Sequence, residues 1–176
     1  MNTPKPPSHP GCGWVDECVE MCSGPSVSAD ERGVQAWFRN PERTTIRKIH
    51  YDGCFEMAAG IYKADFIIGL PETIDIVIEL KGSHTNLRHA YQQVVDTIDR
   101  WRANPMHYRR VAALIIYGKI RSKDKLARRR PKALSIVQAI EGDFKRKYEG
   151  RIRMLVHESG ERQFTFNDFL RKNDVR

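Results

Sequence analysis

Residues 72–82, ETIDIVIELKG, decide how this chain folds. The β-branched residues Ile74, Ile76, Val77 and Ile78 mark a strand, and Gly82 ends it. Two carboxylates interrupt the apolar run, Asp75 and Glu79, and Lys81 follows Glu79 at the two-residue spacing that shares a strand face. The charges at the strand end are either a solvated tip or part of a site.

Upstream, GIYKADFIIGL (60–70) alternates, with Tyr62, Ala64, Phe66, Ile68 and Leu70 on one side and Lys63 and Asp65 on the other. GLPET turns the chain between these two runs. TTIRKIHYDGCFEM, from Thr44, is again rich in β-branched and aromatic residues, so residues 44–82 predict a three-stranded antiparallel meander. Downstream, Leu87, Tyr91, Val94, Val95, Ile98 and Trp101 form the apolar stripe of a helix over 84–104. RRVAALIIYGK (109–119) reads as a strand buried on both faces. The basic run KIRSKDKLARRRPK reads as an exposed loop, 132–150 as a second amphipathic helix, RIRMLVHESGERQFTF as a hairpin around Ser159-Gly160, and NDFLRK as a last helical turn.

At the other end, Trp14, Val15, Cys18, Met21 and Cys22 recur at helical spacing and predict an opening helix. Residues 23–33 read as a loop, and VQAWFRNPERTT as a short helical or irregular segment. The expected class is α/β, a mixed central sheet flanked by helices. Its parts are a Pro-rich, flexible lead-in (1–13), a core (14–119), and a C-terminal helix and hairpin (120–176) completing the same domain.

A chain of 176 residues buries a core without help from disulfides or metals. Its 30 Lys and Arg against 22 Asp and Glu give a net charge of +8, which favours a polyanion: nucleic acid or an anionic membrane surface. No apolar stretch is long enough to span a membrane, and the N-terminus lacks the apolar region of a secretory signal. The expectation is a cytoplasmic protein with its four cysteines reduced. His9, Cys12, Cys18 and Cys22 offer a zinc reading, but their spacing is not that of a zinc knuckle, and buried thiols on an amphipathic helix fit it better.

A turn centred near Glu72 places Asp65 opposite Glu79, with Cβ atoms about 4.5–5.5 Å apart on one sheet face. A one-residue slip would break that match. Two carboxylates so placed repel unless a cation lies between them or one is protonated. Oxygen ligands of this kind hold Mg²⁺, with water and substrate phosphate completing its shell. The plainer reading makes Asp65, Lys63 and Glu79 polar residues of a solvated strand end, paired with one another.

Asp65 on one strand, then Glu79-Leu80-Lys81 at the end of the next, resembles the signature of the PD-(D/E)XK nuclease superfamily. The element order from about residue 14 to 119 resembles that superfamily's restriction-endonuclease-like α-β-β-β-α-β core. Gln92-Gln93 on the following helix resembles the glutamine that several branches carry. Asp143-Phe144-Lys145 also fits the triplet, but it lies in a polar helical stretch without a paired acid. The motif's proline is absent, Ala64 standing before Asp65.

The resemblance implies a Mg²⁺-dependent nuclease, Mn²⁺ being a possible substitute, with DNA as the expected substrate. Asp65 and Glu79 would be metal ligands, Lys81 would position or activate the attacking water, and Gln93 would help orient the site or the DNA. A further glutamate usually joins from the first helix, with Glu17, Glu20 and Glu31 as candidates. Lys63 and the cluster Arg128, Arg129 and Arg130 are candidate nucleic-acid contacts. His50, His84 and His107 receive no role. A non-catalytic nucleic-acid-binding or scaffold module on the same fold is the competing reading. Cutting two strands would call for a homodimer or a partner protein.

Overall fold

A computed structural model describes residues 12–54, 61–82, 86–108, 110–118, 130–160 and 162–170. Its frame is a seven-stranded mixed sheet, with a smaller three-stranded sheet on one face and helices on the other.

In chain order the large sheet takes β1 (Cys12–Trp14), β2 (Val19–Cys22), β5 (Ile46–His50), β6 (Phe66–Leu70), β7 (Ile74–Lys81), β8 (Val111–Tyr117) and β9 (Arg153–Glu158), and they lie side by side in that order. Pairing is antiparallel as far as β7 and parallel from β7 to β9. The two parallel steps need crossovers, supplied by α2 (Leu87–Trp101) and α3 (Arg130–Lys147). A short α1 (Tyr51–Cys54) follows β5. The small sheet, ordered β10-β4-β3, is built from β3 (Ser26–Glu31), β4 (Val34–Arg39) and β10 (Gln163–Phe164).

The expected meander is present as β5, β6 and β7. Phe66 pairs with Ile78 and Leu70 with Ile74, which centres the turn on Glu72, a residue at φ +55°. That is the register the alternation requires. Alternation also divides the core. Ile68, Ile76 and Ile78 pack with Val27, Ala29 and Phe38 of the small sheet, whereas Ile67 and Val77 pack with Val94 and Ile98 of α2.

Three expectations are corrected. Residues 14–22 form no helix: Cys12–Trp14 and Val19–Cys22 are antiparallel strands, with Asp16 Oδ1 accepting from the amides of Cys18 and Val19 in the turn. The opening helix of the expected core is therefore replaced by a hairpin. Residues 26–39 are neither loop nor irregular: they form a hairpin whose two turn residues, Arg32 and Gly33, take the positive φ of a primed turn. And 153–164 is not a hairpin, because β9 pairs with β8 while β10 pairs in parallel with β4 in the other sheet. The final helical turn is a 3-10 turn, Phe166–Asp168.

Nor are the four cysteines free thiols. Strand pairing sets Cys12 opposite Cys22, and they form one disulfide; Cys18 of the hairpin is bonded to Cys54 of α1. The expectation of reduced cysteines is thereby overturned. No helix of the described residues is long and apolar enough to cross a membrane. The Pro-rich lead-in, apart from Cys12 and Gly13, and most of the basic loop lie outside the described residues.

Candidate active site

Two acids on the helix-facing side of β7 have opposite surroundings. Asp75, near the start of the strand, is fully buried and fully engaged: Arg47 pairs with it at 3.1 Å, Trp101 Nε1 donates at 2.8 Å and the Tyr108 amide at 2.7 Å. Arg47 in turn lies 4.0 Å from the centre of the Tyr108 ring. This network ties β5, β7 and α2 together and is a structural device.

Glu79, four residues on, is equally buried, but no well-formed hydrogen bond reaches its carboxylate oxygens; the Asp65 amide and Lys81 are its near partners. The ammonium of Lys81 stands against its Oε1 as an ion pair, and Lys81 is itself only 18% exposed. A buried carboxylate left in this state is costly and marks a place where something else is meant to bind.

Asp65 comes to Glu79 through the register of the hairpin. It precedes β6 directly, and its Oδ2 accepts the Leu80 amide at 2.7 Å across the strand pair. Its own carbonyl accepts from the Tyr51 amide at 3.0 Å. The residues before it are clamped to α2: Thr97 Oγ1 accepts the Ala64 amide at 2.8 Å, and Gln93 Nε2 donates to the Lys63 carbonyl at 2.7 Å. Gln93 thus steadies the segment carrying Asp65, while its Oε1 is buried without a partner.

A third acid joins from the small sheet. Glu31, the last residue of β3, reaches the Asp65 carboxyl closely enough to share a hydrogen bond with it. Of the three candidate glutamates it is the one brought to the site. Glu17 is exposed in the β1–β2 turn, and Glu20 is buried against His50 at 2.7 Å. The signal for Glu31 lay in Val27 and Ala29, then Val34, Ala36 and Phe38, alternating on either side of Arg32-Gly33.

Electrostatics follow from this crowding. Burial pushes the Asp65 carboxyl up to about 7, with Glu31 adding to the rise and the Leu80 amide and Lys81 opposing it. Burial, then the charge of Asp65, pushes Glu79 up to about 8, with Lys81 opposing. Such a cluster stays ionised at neutral pH only with added positive charge.

The remaining sequence candidates fall elsewhere. Lys63 is engaged away from the cluster, donating to the Asp52 carbonyl at 2.7 Å and pairing with its carboxylate at 3.3 Å. Arg128 and Arg129 lie outside the described residues, and Arg130 opens α3 with its side chain undescribed. Among the described residues, the group of three metal-ligating side chains drawn within 4.8 Å is Cys12, Glu20 and Cys22, away from this site. The acids around Asp65 are more widely spaced.

Just beyond Lys81 two glycines let backbones meet. Gly118 donates its amide to the Lys81 carbonyl at 2.7 Å, and a Cβ on Gly118 would lie 2.9 Å from the Gly82 carbonyl carbon. Glu79 and Lys81 lie at the C-terminal end of β7, the end of a parallel strand at which ligands are generally presented. Comparison of the chain with family models, with curated proteins and with solved structures finds no match.

Proposed function

We propose that this chain is a metal-dependent nuclease of the PD-(D/E)XK type, hydrolysing phosphodiester bonds in DNA. The observation that carries the reading is the contrast on β7: Asp75 is satisfied by three donors, whereas Glu79 is buried beside a second acid, Asp65, with the Lys81 ammonium against it. Evolution of a stable sheet alone gives no reason to keep that second acid.

The donor set fits Mg²⁺, with Mn²⁺ as a substitute. Asp65 and Glu79 supply hard oxygen ligands, and one or two carboxylates suffice when waters and a substrate phosphate complete the shell. When bound, such a cation supplies Lewis-acid polarisation of the phosphate and neutralises charge developing in the transition state. The protein's own groups do the rest. Lys81, held by Glu79, presents a cation to the attacked phosphate and orients the incoming water through its N–H donors. Gln93 fixes the Asp65 segment, so the acid pair keeps its separation when substrate arrives. Glu31 closes the site from the small sheet.

The strand-strand-strand-helix-strand order of the meander, α2 and β8 supports this reading, although a hairpin and a small sheet stand where the superfamily has an opening helix. The net charge of +8 suits the polyanion being cut. Breaking both strands calls for a second active site, from a second copy or a partner protein.

The decisive experiment is cleavage of supercoiled plasmid, linear duplex and single-stranded DNA with Mg²⁺ or Mn²⁺, comparing the wild-type chain with Lys81→Ala. Metal-dependent cutting that disappears in the variant is expected. Equal cutting by both proteins would overturn the assignment. DNA binding with no cutting under any condition would leave a binding module that has kept its acids.

A further inference from the structure

A second donor cluster lies on the β1–β2 hairpin. Cys12 and Cys22 are directly paired, and Glu20, two residues before Cys22, shares their strand face. The two sulfurs and a Glu20 carboxylate oxygen all lie within 4.8 Å of one another. Once the S–S bond is broken, the two sulfurs must separate by more than an ångström to reach the spacing of two thiolates on one tetrahedral zinc, with the Glu20 carboxylate already beside them. Glu20 and Cys22 are fully buried. His50 Nε2 lies 2.7 Å from Glu20 Oε1, and buried Lys48 is the cross-strand partner of Glu20.

We propose that this cluster is a redox-gated site for a thiophilic divalent cation of the zinc class. Cys12 and Cys22 bind as thiolates, Glu20 is the third ligand, and His50 orients the Glu20 carboxylate from behind. In the oxidised chain the sulfurs carry no charge, and Glu20 is balanced by its neighbours. A dithiol reductant gives two electrons and two protons to the Cys12–Cys22 bond and leaves as its own disulfide. Ion binding then releases both thiol protons to solvent. Two thiolates and a carboxylate bring three negative charges into a buried pocket, and a divalent ion with Lys48 supplies three positive ones. The two thiolates select zinc-class ions over Mg²⁺ or Ca²⁺, which prefer all-oxygen shells. The hairpin then stays closed in either redox state, by a covalent bond or by a metal. None of this depends on the nuclease reading, since no residue is shared with the acidic site.

The test uses the full chain, oxidised or reduced anaerobically with a phosphine, loaded with Zn²⁺ and freed of unbound ion before elemental analysis. About one zinc more per reduced chain than per oxidised one is expected, whatever the acidic site holds in both. Cobalt loading of the reduced chain should give a thiolate-to-cobalt charge-transfer band, which an ion on Asp65 and Glu79 cannot produce. Cys12→Ser should abolish the band, Cys54→Ser should keep it, and His50→Ala should weaken zinc binding about tenfold or more. A reduced chain that takes up no more zinc than the oxidised one would overturn the proposal, whether it stays folded by circular dichroism or not. So would cobalt binding without the band, or a band that survives Cys12→Ser but not Cys54→Ser.

Discussion

Asp75 and Glu79 show at the residue scale how one side-chain type serves two ends. Both are carboxylates with raised proton affinity through burial, but only Asp75 is repaid by donors from three directions. Glu79 and Asp65 remain a strained pair, and that strain has a pH signature. Both titrate in the folded chain at about 7 and about 8, above their ordinary 3.8 and 4.5. Between those limits the folded state holds more protons than the unfolded one, so stability falls as pH rises. The metal-free protein should therefore melt several degrees lower at pH 8 than at pH 5, and added Mg²⁺ should recover much of the loss at pH 8. Calorimetry with and without the ion checks this; a flat profile would mean that the acids are not mutually buried. Glu31 belongs to the same ledger. Glu31→Gln should raise the Mg²⁺ concentration for half-maximal cleavage about tenfold, read from a metal titration of plasmid cutting.

At the scale of elements, the tightest junction is where β6 passes Asp75. Gly69 pairs with Asp75, and a Cβ there would run into Asp75 Oδ1 and lie 2.7 Å from the Tyr108 ring. Gly69→Ala should cost about 1–3 kcal/mol, read as a lower denaturant midpoint with unchanged slope. The same junction shows why the meander was legible from the sequence. Strands of five to eight residues with alternating or continuous apolar character leave little choice of period, and the Glu72-centred turn fixes the register. The hairpin of Cys12–Trp14 and Val19–Cys22 offered no such run. Strands of three and four residues are too short to show alternation, and Trp14, Val15, Cys18, Met21 and Cys22 fit a helical period by coincidence. What holds that hairpin is not local patterning but a disulfide across it, Cys12 to Cys22, and one to a distant element, Cys18 to Cys54 across 36 residues. Glu31 cannot be ranked among the candidates from sequence, because the Ser, Asp and Gly content of residues 23–33 reads as loop.

Over the whole molecule, the division of labour between charge and site can be measured. The acidic pair is buried between sheet and helix, so the net charge of +8 must act on substrate from the surface, before any group of the site is reached. Contacts of that kind displace counterions from the nucleic acid, each phosphate neutralised contributing about −0.9 to the slope of log affinity against log salt. A non-cleaving Asp65→Asn chain should therefore bind duplex DNA with a slope steeper than about −3 while showing little sequence preference. Removing charge at the site itself should not change that slope, because Asp65 contributes chemistry rather than steering. Fluorescence anisotropy across a salt series measures both quantities on one sample. A slope near zero would show that the basic surface does not contact phosphates, and would shift the substrate away from nucleic acid even if the acids proved able to hold a metal.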